Sequence, residues 1–337
     1  MQMSDVDYFD FICHIAYNQK PLTRRERADG VRRRDFLSRY SGTAREVLET
    51  LLDSYMNLGI NGDAQRIEQI IWALFLKVYD AKEDDWEMEE DDYRSILPEQ
   101  YRWRSWAHDD GKGTALTGTE LLDFVNELFA ALSTLPITPD MPRRKRIVRT
   151  MFEETNQYMK DGVLLRQVIN VIDDINLESY ENMHALGDIY ETILKELQSA
   201  GRAGEFYTPR AVTDFMAKRI EPHLGEKMAD FACGTGGFLI SWLRELRKQV
   251  STPDDIALWN ASIYGIEKKQ FPYMLAITNL LLHDIDNPNI DHGNSLLHDV
   301  LDYTEKNQFD KILMNLLSVI DVGTLGSTEV DQIPLSA

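Results

Sequence analysis

Apolar residues at Ile67, Ile70, Ile71, Leu74, Phe75, Val78 and Tyr79 recur at intervals of three and four, the spacing that lines one face of an α-helix. That helix is expected to give way at residues 80–92, where nine acids and one lysine make a solvated loop or a self-repelling tip with nothing to contribute to a core. Further helices are expected over 120–132, behind Thr117-Gly-Thr119, over 145–160, and over 182–197. In the last of these Met183, Leu186, Ile189, Tyr190, Ile193, Leu194 and Leu197 share a face. Leu135-Pro-Ile-Thr-Pro-Asp-Met-Pro142 is a turn, because three prolines within seven residues cannot continue a helix.

The pattern changes near Gly201. After the glycine-marked break Ala200-Gly-Arg-Ala-Gly204, short apolar runs alternate with amphipathic helices, the signature of a parallel sheet wound with helices. Strands are expected over 228–231, 262–266, 289–292 and 309–314. A helix over 239–250 turns Leu239, Trp242, Leu243 and Leu246 inward, and another covers 271–282.

Length and charge narrow this picture. A chain of 337 residues has room for two or three domains. The formal charge of −20 repels nucleic acid and anionic membranes, so any DNA contact needs local basic patches or a basic partner. Two such patches interrupt the acidic background: Arg24, Arg25, Arg27, Arg32, Arg33 and Arg34, and then Arg143, Arg144, Lys145, Arg146 and Arg149. Each reads equally as a solvated face pairing with the abundant acids or as a phosphate contact. Two cysteines far apart, Cys13 and Cys233, an acidic start and no apolar run long enough for a membrane span lead to the expectation of a cytoplasmic protein. The seven histidines are scattered without ligand spacing, so no metal centre is expected.

The chemistry is concentrated in the second half. Asp230-Phe-Ala-Cys-Gly-Thr-Gly-Gly-Phe238 stands where a strand turns into a helix. Gly234, Gly236 and Gly237 let the backbone turn tightly and approach a ligand, and a helix N-terminus behind them offers N–H groups. The dinucleotide fingerprint would need a third glycine where Leu239 stands, and a phosphate loop would need a following Gly-Lys-Ser/Thr. Glu267, in Tyr264-Gly-Ile-Glu-Lys-Lys269, falls at the end of the next strand. In an open α/β sheet an acid there can accept hydrogen bonds from both ribose hydroxyls.

Taken in order, Gly204-Glu-Phe-Tyr-Thr-Pro-Arg210, the glycine segment, Gly265-Ile-Glu267, His292-Gly-Asn-Ser-Leu296 and Phe309-Asp-Lys-Ile-Leu-Met-Asn315 resemble the motifs of modification subunits of type I restriction-modification systems. These are S-adenosylmethionine-dependent DNA adenine N6-methyltransferases. The helix at 67–79 is similar to the N-terminal helical domain of the same subunits. Residues 11–60, with Pro21-Leu-Thr-Arg-Arg-Glu-Arg27 and Arg39-Tyr-Ser-Gly-Thr-Ala-Arg45, resemble a C-terminal helical segment of the restriction subunits.

The resemblance implies an α plus α/β chain: a helical assembly segment (1–60), a helical domain (61–200), the cofactor-binding half of a Rossmann-like methyltransferase domain (201–315), and a divergent tail (316–337). It implies a cofactor site of Glu205, Phe206, Tyr207, Thr208, Pro209, Arg210, Asp230, Cys233, Gly234, Thr235, Gly236, Gly237, Glu267 and Asn294. Thr208 is expected to cap a helix, Asp230 to meet the cofactor's ammonium group, Glu267 to hold its ribose and Asn294 to face its adenine. Asn315 is the expected catalytic residue, an acceptor for the amino group of a flipped adenine. The implied partners are DNA, reached through the complex, a specificity subunit that reads the target, a second modification subunit and a restriction subunit. No membrane is implied.

The family pattern breaks after Asn315. Leu316-Leu-Ser318 stand where the family carries Pro-Pro-aromatic. Adenine positioning is expected to be lost there while cofactor binding survives, which leaves a non-catalytic cofactor-binding or assembly protein as the alternative. The sheet is expected to be truncated after its fourth strand.

Overall fold

A computed structural model describes residues 63–175, 208–297 and 308–315, and the single positions 177, 183, 186, 187, 190, 191, 194 and 304. The basic cluster at 24–34, the segment at 11–60, Glu205, Phe206, Tyr207 and the tail from Leu316 lie outside the described residues.

The first helix, α1 (Asp63–Glu89), is the hub of the helical half. Ile67, Ile70, Ile71, Leu74, Phe75, Val78 and Tyr79 are buried as their spacing predicts, and so are Trp72, Ala73 and Leu76 between them. A helix apolar on every side belongs in the middle of a bundle. It packs against α2 (Trp103–Trp106), α5 (Gly162–Asp173) and α9 (Gln270–Leu282). Around it, α3 (Gly118–Leu132) lies on α5 and on α4 (Arg143–Glu153).

The acidic block contradicts the expectation of a loop. The helix continues through it to Glu89, with Trp86 1% exposed and Glu83 fully buried. The charges are matched from outside the segment. Tyr93 Oη donates to Glu83 at 2.8 Å, Arg104 Nε donates to both Asp80 oxygens at 3.0 Å, and Arg102 faces Glu83 at 3.5 Å. Lys82 Nζ lies 3.0 Å from Asp284 and 3.1 Å from Asp286. Buried charge is tolerated where it is paired and hydrogen-bonded.

Two other helices differ from expectation. α4 stops at Glu153, where Glu154 leaves helical geometry and the Thr155 hydroxyl turns back to the Met151 carbonyl. The unpredicted α5 follows, opened by Asp161, whose carboxylate accepts from the N–H groups of Val163 (2.8 Å) and Leu164 (3.1 Å). Of the helix expected at 182–197, Met183, Leu186, Gly187, Tyr190, Glu191 and Leu194 are described and helical.

The second half begins with α6 (Arg210–Arg219) and alternates β1 (Met228–Asp230), α7 (Gly237–Arg247), α8 (Pro253–Asn260), β2 (Ile263–Glu267), α9, β3 (Ile290–His292) and β4 (Lys311–Ile312). The unpredicted α8 carries a capping box between Thr252 and Asp255. The four strands are parallel in the order β3-β2-β1-β4. The expected α plus α/β architecture is therefore present, a helical half followed by a Rossmann-like sheet.

Helix α9 joins the halves. Every side chain from Pro272 to Leu282 is buried, because β2 and β3 lie on one side and α1 and α4 on the other. Gln270 at its start donates to the carbonyls of Thr150 (2.8 Å) and Met151 (3.0 Å), and Tyr190 Oη donates to the Leu275 carbonyl at 3.0 Å.

Candidate functional site

The strand order reverses at β1: β2 and β3 build outward on one side, and the chain returns to add β4 on the other. Ligands of open α/β sheets bind beyond the carboxyl ends of the strands at such a reversal. The glycine segment turns here, and its three glycines serve different needs. Gly234 and Gly236 hold φ of +54° and +78°, the left-handed region costly for any residue with a Cβ. Gly237 is needed for space, since a Cβ on it would lie 1.9 Å from Arg210 Nη1. The turn is tied to β2 by the Cys233 N–H on the Ile266 carbonyl (3.0 Å) and closed by the Gly236 N–H on the Cys233 carbonyl (2.8 Å). Gly236 then caps α7, whose first-turn N–H groups have no acceptors within the helix.

Two carboxylates flank the turn. Glu267, the last residue of β2, accepts from the Gly234 N–H on Oε2 and from the Lys269 N–H on Oε1, both at 2.8 Å. Asp230, the last residue of β1, is 1% exposed and accepts the Ala232 N–H at 3.1 Å. Burial raises its pKa to about 7 against the opposing effect of that N–H, and the nearby charge of Glu267 adds to the rise. A buried carboxyl with one backbone donor and an acidic neighbour favours an incoming cation.

Other expected site residues fall where sequence alone did not put them. Thr208 does not cap α6: the capping position is Pro209, with no side-chain cap bond. Its hydroxyl instead accepts from Asn315 Nδ2 at 3.0 Å, so the segment before α6 and the end of β4 meet at the rim of the cleft. Cys233 is buried, its Sγ close beneath Gly265, and burial pushes its thiol well above the usual range, with Asp230 and Glu267 adding to the rise. Its contribution to the cleft is backbone. Asn294 Oδ1 accepts the Leu296 N–H at 3.1 Å, which makes it the residue that shapes the turn after β3.

Arg210, at the start of α6, reaches Thr235 within the turn. Both are buried, with Arg210 paired to Glu191. Glu191 and Asn279 were not singled out from the sequence. The available signal was Asn279 itself, a carboxamide in the middle of the apolar run of α9.

The second basic cluster is engaged within the chain. Arg143 pairs with Asp291, which also accepts from Tyr264 Oη at 2.8 Å. Arg144 pairs with Glu90 at 2.6 Å over the ring of Trp86, Lys145 lies over Tyr93, and Arg149 pairs with Glu153 at 2.8 Å. Of the two readings left open above, pairing with acids holds for Arg143, Arg144 and Arg149, while Lys145 donates to the Arg94 carbonyl. Between β1, β2 and β4, Tyr264 stacks on Phe309 with ring centroids 5.2 Å apart, and Phe231 meets both edge-on.

Comparison with known proteins places these features. Residues 181–317 match the family described as N-6 DNA Methylase, residues 56–172 the HsdM N-terminal domain, and residues 1–72 the EcoEI R protein C-terminal family. The chain is 47% identical over 260 residues to the type I restriction enzyme EcoEI methylase subunit of Escherichia coli, across 76% of this chain and 52% of that one. A separate stretch of 77 residues is 47% identical to the type I restriction enzyme EcoAI endonuclease subunit of Escherichia coli, across 23% of this chain and 9% of that one. Among solved structures, a type I modification subunit from Vibrio vulnificus YJ016 superposes with a TM-score of 0.68 at 36% identity, over 81% of this chain and 60% of that one. The chain spans about half the length of the curated methylase relatives it matches.

Proposed function

The chain belongs, over residues 56–317, to the family of type I restriction-enzyme methylase subunits, and from that premise we propose that its cleft binds S-adenosylmethionine for methylation of adenine N6 in DNA. The observation that carries this reading is the pair Asp230 and Glu267, at the ends of adjacent strands on either side of the Gly234–Gly236 turn. The donor set suits the cofactor. Asp230, whose pKa burial and the neighbouring Glu267 raise to about 7, is drawn to its ionised form by an incoming ammonium group. Glu267 presents a carboxylate, an acceptor suited to ribose hydroxyls.

When bound, the cofactor supplies a methyl group on a positively charged sulfur. The protein's part is to bind, orient and accept. The Gly234–Gly236 backbone allows close approach, and Asn294 borders the adenine end. Asn315 at the end of β4 offers its carboxamide oxygen to the amino group of a base flipped from the stack, which holds the nitrogen lone pair toward the methyl.

DNA is met within a complex. A chain of charge −20, with Arg143, Arg144 and Arg149 paired to its own acids, is repelled overall by a phosphate backbone, which supports contact through a basic partner. A specificity subunit, a second modification subunit and a restriction subunit are the partners this reading calls for. Residues 1–60 are the proposed assembly segment, a reading supported by the match of residues 1–72 to the EcoEI R protein C-terminal family.

A second reading, cofactor binding without turnover, is favoured by one observation: Leu316-Leu-Ser318 supply neither a stacking aromatic nor a proline carbonyl beside Asn315. Incubating the chain and a specificity subunit with labelled S-adenosylmethionine and DNA separates the two. Label in adenine N6 supports the first reading. Cofactor binding with no transfer supports the second.

A further inference from the structure

A buried charged network reaches the glycine turn at Thr235. Glu191 and Arg210 are almost fully buried, and Thr235 and Asn279 are buried with them. The Glu191 carboxylate takes Arg210 in a two-pronged contact: Nη2 reaches Oε1 at 2.9 Å, and Nε reaches Oε2. Oε1 also accepts from Asn279 Nδ2 at 2.6 Å. Both donors then extend to the same residue of the turn. Arg210 Nη2 lies 3.5 Å from Thr235 Oγ1, and Asn279 Nδ2 lies 3.3 Å from the Thr235 carbonyl oxygen.

A buried ion pair contributes little net stability over an apolar pair of the same volume, so stability does not account for this one. Geometry does. The planar, two-pronged contact fixes the direction of the guanidinium, which occupies the space a Cβ on Gly237 would fill. Thr235 stands between the two left-handed glycines, Gly234 and Gly236, residue types that constrain the backbone least. The network holds Thr235 while Glu267 holds the Gly234 N–H.

We infer that Glu191, acting through Arg210 and Asn279, is a positioning residue that sets the conformation of the glycine turn. Its segment precedes α6 in the chain, so the strut ties three elements to one loop: residue 191, the start of α6, and α9. The consequence for cofactor affinity rests on the reading given above; the strut itself does not.

The test uses the full chain with Glu191→Leu/Arg210→Met, which keeps the interior filled and removes the directional contacts, and with Glu191→Gln as a milder partner. Hydrogen exchange is followed at the amides of residues 233–237 and, as internal reference, at those of β2 and α1. S-adenosylmethionine affinity is measured by calorimetry on the same samples. Exchange in the turn is expected to rise about tenfold or more while the reference amides keep their protection, with a loss of affinity of about tenfold or more. Unchanged exchange in the turn overturns the proposal, whatever the affinity does. Faster exchange in the turn together with a wild-type chain that binds no cofactor supports the strut and overturns the cofactor reading. Should the double variant not fold, exchange in Glu191→Gln decides on the same terms.

Discussion

The carboxamide of Asn315, three residues past β4, donates to the hydroxyl of Thr208 at 3.0 Å, joining positions 107 residues apart. The bond forms only if the segment entering α6 and the strand that ends the described sheet reach the same rim. It also engages the nitrogen of the Asn315 carboxamide as a donor.

Removing the acceptor tests that relationship. Thr208→Val keeps the shape and loses the hydroxyl, and is expected to destabilise the chain by about 0.5–1.5 kcal/mol. Thr208→Ser should retain most of that stability. Urea unfolding of the two variants beside the wild type checks this, and equal midpoints for Val and Ser would remove the bond from the account.

Asp230 makes stability depend on pH. Its folded pKa of about 7 stands above the ordinary aspartate value of 3.8, so between those limits the folded chain holds a proton that the unfolded chain has released. The sign follows: this contribution to stability is full below about pH 4 and is lost as pH rises through about 7. Asp230→Asn should therefore exceed the wild type in thermal midpoint at pH 8 and lose that advantage toward pH 4. The same ionisation predicts that affinity for a cationic cofactor increases from pH 6 to pH 8 in the wild type and not in Asp230→Asn. Thermal scans and titrations across this range measure both.

The two glycines of the α7 start should fail for different reasons. Gly236→Ala places a Cβ in the left-handed region, at a cost of roughly 1–2 kcal/mol. Gly237→Ala drives a methyl into Arg210 and should cost about 1–3 kcal/mol through the displaced guanidinium. Combining Gly237→Ala with Arg210→Met should recover part of the second loss and none of the first, as read from urea midpoints.

Trp86 tests the acidic end of α1. Buried at 1% exposure, it should cost about 3–5 kcal/mol on replacement by Ala. Met88, two residues on and 79% exposed, should change stability by less than about 0.5 kcal/mol. Similar small losses at both positions would return the block to a solvated tip.

That block shows where sequence reasoning runs out. Residues 80–92 look uninhabitable for a core because the cations that answer their acids, Arg102 and Arg104, lie outside the segment, as do the acids that answer Lys82, Asp284 and Asp286. Local charge counts do not see tertiary pairing. The undecided status of Arg143 and Arg144 has the same origin, since their partners are Asp291 and Glu90. The sheet was legible because its signals are local: an apolar run, a glycine turn and an acid at a strand end each specify their own neighbourhood. Asp230, the glycines and Glu267 were therefore found and brought together as expected. The helix cap expected of Thr208 failed because its partner arrives from β4. Glu191 is hidden in sequence by the apolar stripe around it, of which Met183, Leu186, Tyr190 and Leu194 are buried, with the Glu191–Arg210 ion pair among them.

The central claim is that the turn between Asp230 and Glu267 holds S-adenosylmethionine, and calorimetric titration of the full chain with that cofactor, beside Glu267→Gln, tests it most directly. A single saturable site in the wild type is predicted, weakened about tenfold to a hundredfold in Glu267→Gln, the loss expected for hydrogen bonds to a charged acceptor. No heat of binding in the wild type, or equal affinity in the variant, would contradict the account.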